Sequence, residues 1–185
     1  MNVGIVRGLA GNFASLAHAL RRLGATPVMV AAGSDFQTLD SLILPGVGAF
    51  SSAMRYLRES GLSMDIRRYA HEDRPLLGIC LGAQLLFESG EENGPTEGLG
   101  ILPGEVRSLR GRERNVKLPH TGWNRAEYRN SGGKVLSEEL SGYYYFNHEY
   151  YFSPARTQMI AATTNYGGEF AVAVESGNTV AVQFH

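Results

Sequence analysis

The single cysteine of this chain stands between two glycines, in the segment Gly78-Ile79-Cys80-Leu81-Gly82. An apolar run precedes it and a helix-like pattern follows, which predicts a strand that turns sharply into a helix. Glycines at both flanks allow such a strained turn. The thiol would then lie at the carboxyl end of the strand, beside the positive end of the helix dipole, which favours the reactive thiolate. The spacing therefore indicates a nucleophile.

A lone cysteine in an apolar strand is more often a small buried hydrophobe than a nucleophile. The two flanking glycines argue against that interpretation of Cys80, because a packing cysteine does not need glycine on both sides. A nucleophile whose neighbouring backbone N–H must approach a substrate does need them. The N–H of Leu81, directly after the cysteine, is then a candidate donor to an oxyanion.

A second oxyanion donor is indicated by the loop Pro45-Gly46-Val47-Gly48-Ala49, which follows another apolar strand. In a parallel sheet this loop opens on the same carboxyl edge as the cysteine. The glycines on either side of Val47 allow its peptide to flip and to point its N–H towards the reacting centre. A plain turn also needs glycine, so both interpretations of this loop stay open on the residues alone.

A thiolate needs a base, and histidine titrates close to neutral pH. The chain contains five histidines. His18 lies inside a predicted helix and His71 ends another, so both are most simply surface residues. His185 follows an apolar strand, in Val182-Gln-Phe-His185, which makes it one candidate for the base.

The elements that would position these residues alternate between strands and helices. Apolar strands are predicted at 3–6, 26–31, 41–44 and 76–80, with helices at 12–23, 53–57 and 66–71 between them. This order indicates an α/β fold with a largely parallel sheet covered on both faces. After Glu92 the pattern changes to shorter β-like runs typical of hairpins, at 104–109, 123–128, 143–152, 159–164, 170–174 and 180–184.

Composition limits the classes of function. The chain has 185 residues, 43% of them hydrophobic, which is enough for one substantial core and predicts one domain. The formal charge of -1 gives no basic field for nucleic acid or an anionic membrane. One cysteine excludes an intrachain disulfide, and neither a signal peptide nor a membrane-spanning run is visible, so we expect a cytoplasmic protein.

One concentration of basic residues occurs between positions 107 and 125. A solvated hairpin and a partner surface are both compatible with it. Its members are Arg107, Arg110, Arg112, Arg114, Lys117 and Arg125.

Several motifs, in one order along nearly the whole chain, are similar to those of the class I glutamine amidotransferases. A lone G-x-C-x-G is weak evidence, whereas the ordered set is specific. The motifs are GICLGAQLLFESGEE from Gly78, Asn12-Phe-Ala-Ser15, Leu44-Pro-Gly-Val-Gly-Ala-Phe50, Pro119-His-Thr-Gly-Trp-Asn124, Tyr145-Phe-Asn-His148 and Gln183-Phe-His185.

The resemblance implies a three-layer α/β fold and a role for each matching residue. Glu92 would hold the substrate ammonium, although a solvated loop acid beside Glu91 is an equal alternative on sequence alone. His120 also falls in a motif that the family places near the pocket or the partner surface. The implied set is Cys80 and His185 for catalysis; Val47, Gly48 and Leu81 for the oxyanion hole; Gln84, Glu92, His148, Glu149 and Tyr150 for the substrate; and Trp123, Asn124 and Tyr145 for the ammonia exit facing a partner.

The activity implied by the resemblance is hydrolysis of L-glutamine through a cysteine thioester, without a metal or an organic cofactor. The ammonia would pass to a cyclase partner with a (β/α)8 barrel, in a heterodimer that forms imidazole glycerol phosphate in histidine biosynthesis. Two alternatives stay open: a paralogue that feeds a surface-sugar amidotransferase, and a silent subunit that only docks on a synthase.

The chain departs from the family pattern at four places and at its end. Val6-Arg7-Gly8 replaces the usual opening Asp-Tyr-Gly, and Thr121, Asn147 and Glu149 replace a Met, an aliphatic residue and a Ser or Thr. In the family a Pro, a Glu that orients the histidine and a closing helix follow the position of His185. We therefore expect one domain over residues 1–185, truncated at its C-terminus.

Overall fold

The computed structural model describes residues 1–110, 116–129 and 133–185. The helices are α1 (Phe13–Arg22), α2 (Phe50–Glu59), α3 (Leu62–His71) and α4 (Leu81–Leu85). The strands are β1 (Asn2–Val6), β2 (Thr26–Val30), β3 (Ser41–Gly46), β4 (Leu76–Cys80), β5 (Phe87–Gly90), β6 (Thr96–Glu97), β7 (Leu102–Ser108), β8 (His120–Tyr128), β9 (Gly142–His148), β10 (Tyr150–Pro154), β11 (Ile160–Asn165), β12 (Glu169–Ser176) and β13 (Thr179–Val182).

One sheet connects these strands, and its central part is parallel. Strands β2, β1, β3, β4 and β13 are neighbours in that order, and each pair runs parallel. Beyond β13 the order continues through β12, β10, β7, β5 and β6, with antiparallel pairs from β13 to β7. The predicted change from a parallel to a hairpin-rich half is confirmed.

Helices cover both faces of the parallel part, because neighbouring strand residues point to opposite sides. Leu42 and Leu44 of β3 pack in the main core with Met54 and Ile66 from α2 and α3. Ile43 lies between them on the opposite face, in a smaller cluster that Leu16 and Leu20 of α1 contact. The predicted three-layer α/β arrangement is therefore present.

The structure differs from the predicted strands in two respects. A single β-like run was expected over 143–152, but the structure divides it at Glu149 into β9 and β10. Strand β9 pairs with β8 in an outer hairpin, whereas β10 pairs with β7 and β12 in the main sheet. The short strands β5 and β6 were not predicted, because polar Glu88 and Ser89 break the apolar pattern of β5.

The turn from β4 into α4 is the strained strand-to-helix turn that the sequence predicts. Cys80 has φ 54° and ψ −113°, a backbone conformation that costs a non-glycine residue about 1–3 kcal/mol. Both flanking glycines are needed for close approach: a Cβ on Gly82 would lie 1.8 Å from the Leu44 carbonyl oxygen, and one on Gly78 would lie 2.6 Å from Ala83 Cα. The helix therefore packs directly on β3 and β4.

Three of the four described residues of the basic concentration are close to an acid. Arg107 hydrogen-bonds to Glu105, Arg110 pairs with Glu149, and Arg125 lies 3.8 Å from Glu127. These exposed pairs fit the solvated-hairpin interpretation. Arg112 and Arg114 lie outside the described residues.

We predict that Gly82→Ala destabilises the protein, although alanine has a higher helix propensity than glycine. The added Cβ would overlap the Leu44 carbonyl and force α4 away from the sheet. Overpacking of this kind should lower the free energy of unfolding by about 2 kcal/mol and the Tm by about 4–8 °C.

Gly11→Ala is the matched control, because its Cβ would only make ordinary contact with the Phe13 ring, at 3.6 Å. Thermal and urea unfolding of both variants measure the difference. A Gly82→Ala protein as stable as the Gly11→Ala protein would contradict the close approach.

Candidate active site

A cavity of about 300 Å³ lies at the carboxyl edge of the parallel strands. Every residue that was predicted for catalysis, for the oxyanion hole or for substrate binding lines this cavity. Pro119 and Asn147 complete its wall. The predicted residues that line it are Val47, Gly48, Cys80, Leu81, Gln84, Glu92, His148, Glu149, Tyr150 and His185.

The Cys80 thiol is buried, with only 6% of the residue exposed. Burial raises its pKa to about 11, and hydrogen bonds with the Leu81 backbone and the Gln183 side chain oppose that shift only in part. The prediction that the helix dipole favours the thiolate form of Cys80 is therefore wrong for this structure. The physical reason is the loss of water around the sulfur, which is the largest of the effects on its pKa.

Gln183 is a site residue that sequence reasoning missed. Its amide nitrogen lies 3.8 Å from Cys80 Sγ, and its carbonyl oxygen accepts a 3.0 Å hydrogen bond from the Gln84 amide. Gln84 also donates to the Tyr150 carbonyl, at 3.2 Å. Gln183 is completely buried. The available signal was a polar amide in the otherwise apolar run before His185.

The second predicted oxyanion donor is hydrogen-bonded to another loop. The N–H of Val47 donates a 2.8 Å hydrogen bond to the Ala10 carbonyl, which forms an isolated bridge between the two loops. Gly48 has φ 113°, and no atom lies within 4 Å of a Cβ built on it, so the loop has both the conformational freedom and the space to change. Of the two predicted donors, the Val47 N–H is held elsewhere in this structure.

Glu92 has a structural contact that the sequence did not predict. One of its carboxylate oxygens accepts a 2.6 Å hydrogen bond from the N–H of Phe50, the first residue of α2. The N-cap residue Ala49 has no polar side chain that could accept a hydrogen bond from the first backbone N–H groups of the helix. Glu92 therefore caps α2 from a distance and still lines the cavity.

Of His18, His71 and His185, which all lie within the described residues, His185 alone lines the cavity. Its backbone N–H donates a 3.0 Å hydrogen bond to the Tyr145 carbonyl, which ties it to the outer hairpin. Partial burial lowers its pKa. His18 and His71 are exposed on α1 and α3, as expected.

The segment His148-Glu149-Tyr150 is already engaged by the protein. The Glu149 carbonyl accepts from the Leu109 N–H at 2.8 Å, and the Tyr150 carbonyl accepts from His148 Nδ1 at 2.7 Å. The Glu149 carboxylate pairs with Arg110. Contact between this segment and glutamine remains a prediction.

The three residues predicted for a partner surface lie on the β8–β9 hairpin, outside the cavity. Trp123 is 72% exposed, and its ring meets that of Tyr145 edge-on, with 5.9 Å between centroids. Asn124 turns inward instead, towards His120 and the Asn165 carbonyl. The exposed aromatic pair is the part of this prediction that fits a docking surface.

Two of the departures from the family pattern face each other on this hairpin. Thr121 and Asn147 are register partners across β8 and β9, and the threonine hydroxyl donates a 3.1 Å hydrogen bond to the Asn147 side-chain oxygen. Of this polar pair, Asn147 lines the cavity.

The family described as glutamine amidotransferase class-I matches residues 9–185. This chain belongs to the class I glutamine amidotransferases. Its curated relatives include the imidazole glycerol phosphate synthase subunit HisH of Moorella thermoacetica, 42% identical over 175 residues, which are 95% of this chain and 82% of the relative.

Another relative is the chloroplastic imidazole glycerol phosphate synthase hisHF of Arabidopsis thaliana, 42% identical over 95% of this chain and 30% of that longer protein. Among solved structures, a glutamine amidotransferase superposes with a TM-score of 0.76 at 25% identity, covering 99% of this chain and 89% of that one. PurLQS from Thermotoga maritima shares the fold, with a TM-score of 0.74 at 17% identity over 100% of this chain and 86% of that one.

Within the described ranges, no group of three or more His, Cys, Asp and Glu side chains is arranged to hold a metal ion. The helices of the same ranges include none with the length and apolar character required to cross a bilayer.

The raised pKa of Cys80 predicts how its reactivity depends on pH. Because the pKa is about 11, the thiol is almost fully protonated near neutral pH. The rate of alkylation by iodoacetamide should therefore rise by about tenfold per pH unit between pH 7 and pH 10. Mass spectrometry of the labelled 20.1 kDa chain measures this rate directly.

Gln183→Leu should slow alkylation further, because it removes a hydrogen bond that favours the thiolate. The same chain unfolded in urea provides the control, since its free thiol has an ordinary pKa of about 8.5. A rate that levels off near pH 8 in the folded protein would contradict the assigned burial effect.

Proposed function

We propose that this chain is the glutaminase subunit of an imidazole glycerol phosphate synthase, which supplies ammonia to a cyclase in histidine biosynthesis. The observation that carries this proposal is the cavity in which Cys80, His185 and both predicted oxyanion loops meet, in a chain 42% identical to a HisH subunit over 95% of its length. Relatives of that name favour the histidine pathway over the surface-sugar alternative.

In the proposed reaction, Cys80 Sγ attacks the side-chain carbonyl carbon of glutamine, while the thiol proton passes to His185. The carbonyl oxygen becomes an oxyanion and is stabilised by the N–H of Leu81 and by that of Val47 once its peptide has flipped. His185 then protonates the amide nitrogen, the C–N bond breaks, and ammonia leaves a thioester on Cys80. Both side chains line the same cavity.

The thioester is then hydrolysed by water. His185 accepts a proton from the water, whose oxygen attacks the thioester carbonyl. The C–S bond then breaks to release glutamate, and His185 returns the proton to Cys80 Sγ. We assign Gln84 and Glu92 to the backbone groups of glutamine, because both line the cavity. The oxygen of Glu92 that caps α2 would keep that role during binding.

Two observed features favour an idle state of the isolated chain. The thiol has a pKa of about 11, so little thiolate is present at neutral pH. The Val47 N–H is bonded to the Ala10 carbonyl, so one oxyanion donor is withdrawn. Both features must change before the chemistry is fast, and we propose that the partner and its acceptor substrate drive the change.

We assign the partner surface to the exposed aromatic pair Trp123 and Tyr145 on the β8–β9 hairpin. The partner expected for it is a cyclase subunit with a (β/α)8 barrel, in a heterodimer. The ammonia would leave the cavity beside this hairpin, so that it reaches the cyclase rather than the solvent.

The full chain, combined with the cyclase subunit encoded in the same genome, tests the function. We predict glutamate formation from glutamine, coupled to formation of imidazole glycerol phosphate. Cys80→Ser should abolish glutamine hydrolysis and leave thermal unfolding nearly unchanged, because sulfur-to-oxygen replacement creates little cavity.

A glutamine-like diazoketone should label Cys80, and free glutamine should protect it. Binding to the cyclase without any glutamine hydrolysis would favour a silent docking subunit. Hydrolysis in the presence of a surface-sugar amidotransferase only would favour the paralogue.

Because the partner is proposed to favour the flipped Val47 peptide, we predict that it strongly accelerates glutamine hydrolysis. Removal of one oxyanion donor costs about 10²–10³ in rate, so the chain should hydrolyse glutamine at least about a hundredfold faster with cyclase and acceptor present. Gly48→Pro removes the Gly48 N–H and fixes φ near −65°, far from the observed 113°, and should abolish most of this activation.

Gly33→Pro is the matched control, since Gly33 also has a positive φ, 78°, but lies on a loop away from the cavity. It should retain the full response. Equal glutaminase rates with and without the partner would overturn the gating, and so would a Gly48→Pro protein that is activated as strongly as the wild type.

A further inference from the structure

Two buried imidazoles form a direct hydrogen bond behind the cavity. His120 Nδ1 lies 3.0 Å from His148 Nε2, and the two residues are 2% and 6% exposed. Burial lowers the pKa of His120 to about 4 and that of His148 to about 3. Of the two, only His148 lines the cavity, so His120 is not a group that can touch the substrate.

The contacts around the pair define the position of each ring proton. The Arg125 N–H donates to Asn124 Oδ1 at 2.8 Å, so the amide nitrogen of Asn124 is the atom that faces His120 Nε2, at 3.2 Å. His120 Nε2 must then accept, and its proton must be on Nδ1, which donates to His148 Nε2. His148 carries its own proton on Nδ1, because that atom faces the Tyr150 carbonyl.

The chain of hydrogen bonds continues from Tyr150 to the nucleophile. The Tyr150 carbonyl accepts from His148 at 2.7 Å and from the Gln84 amide at 3.2 Å. The other N–H of Gln84 donates to Gln183 at 3.0 Å, and the Gln183 amide lies 3.8 Å from Cys80 Sγ. Every contact in the series is therefore a donor facing an acceptor.

We propose that His120 and His148 are positioning residues, which transmit the placement of Asn124 on the partner-facing hairpin to Gln84 and Gln183 beside Cys80. This inference rests on the proposed function and deepens it, because it names a route from the partner surface to the nucleophile. Docking that moves β8 would shift Asn124 and, through the two neutral rings, the amides that hold the substrate and the thiol.

The alternative is that the two histidines contribute only to packing, without a role for their hydrogen bonds. His120 stacks between Phe146 and Tyr166, with ring centroids 4.7 and 4.1 Å away, and would contribute to packing without its nitrogen atoms. This arrangement makes the two explanations separable, because phenylalanine at position 120 keeps the stack and removes both hydrogen bonds.

The first experiment compares glutaminase kinetics of wild-type, His120→Phe and Tyr166→Phe chains in complex with the cyclase. His120→Phe should lower kcat/KM for glutamine by about tenfold, because the amides beside Cys80 lose their fixed placement. Tyr166→Phe keeps the ring on His120 and loses only the bond from its hydroxyl to the Lys117 carbonyl, so its kinetics should stay within about twofold of wild type.

Asn124→Leu is the second variant, and it tests the series from its half-exposed outer end even if His120→Phe does not fold. It should cause a similar loss of kcat/KM. The double variant should be no worse than either single variant, because residues that act in series have non-additive effects. Fully additive losses would overturn the relay.

The second experiment gives a readout that packing alone would not move. In ¹⁵N spectra of ring-labelled protein, both histidines should show neutral rings protonated on Nδ1. Addition of glutamine to the Cys80→Ser chain should shift the ring nitrogens of His120, although His120 lies outside the cavity. In Asn124→Leu, the His120 ring should keep its proton on Nδ1, because His148 Nε2 still accepts it, while the Nε2 resonance should shift because the bond from the Asn124 amide is lost.

The outcomes separate the two proposals. A wild-type complex that does not hydrolyse glutamine would overturn the proposed function and, with it, this inference. A wild-type complex that hydrolyses glutamine together with a fully active His120→Phe complex would overturn the relay alone. Ring resonances of His120 that do not respond to bound glutamine would also overturn it.

Discussion

The close approach of α4 to the ends of β3 and β4 is the constraint on which the site depends. Gly82 leaves no room for a side chain against the Leu44 carbonyl, and this contact holds Cys80 at a positive φ. The same packing brings the loop that follows β3 beside the cysteine, since Gly46 and Cys80 are register partners. The residues proposed as nucleophile, oxyanion donors and base can meet there because the first turn of α4 has a glycine where a side chain would clash.

Burial is the second constraint, and it acts against the first. Exclusion of water from the Cys80 thiol raises its pKa, so the site that holds the nucleophile in place also keeps it protonated. The hydrogen bond from Gln183 opposes this effect only in part. In our proposal, glutamine and the partner together supply the change around the sulfur that activity needs.

The sequence predicted the fold and most of the cavity, because both depend on local patterns. Glycines mark the turn at Cys80, and alternating apolar strands and amphipathic helices mark the parallel sheet. What it did not predict depends on contacts between distant segments. The cap that Glu92 places on α2, the bond from Val47 to Ala10, and the position of Gln183 all join residues far apart in the chain. The single domain over 1–185, the cytoplasmic location and the individual site roles stay predictions.

Tyr145 makes two different contributions, one through its side chain and one through its main chain. Its side chain is 38% exposed beside Trp123, while its backbone carbonyl accepts the N–H of His185. A substitution at position 145 would alter the side chain and leave the carbonyl in place. In our proposal, the docking face can therefore change to follow a changing partner, while the contact that anchors the proposed base His185 is retained because it belongs to the main chain.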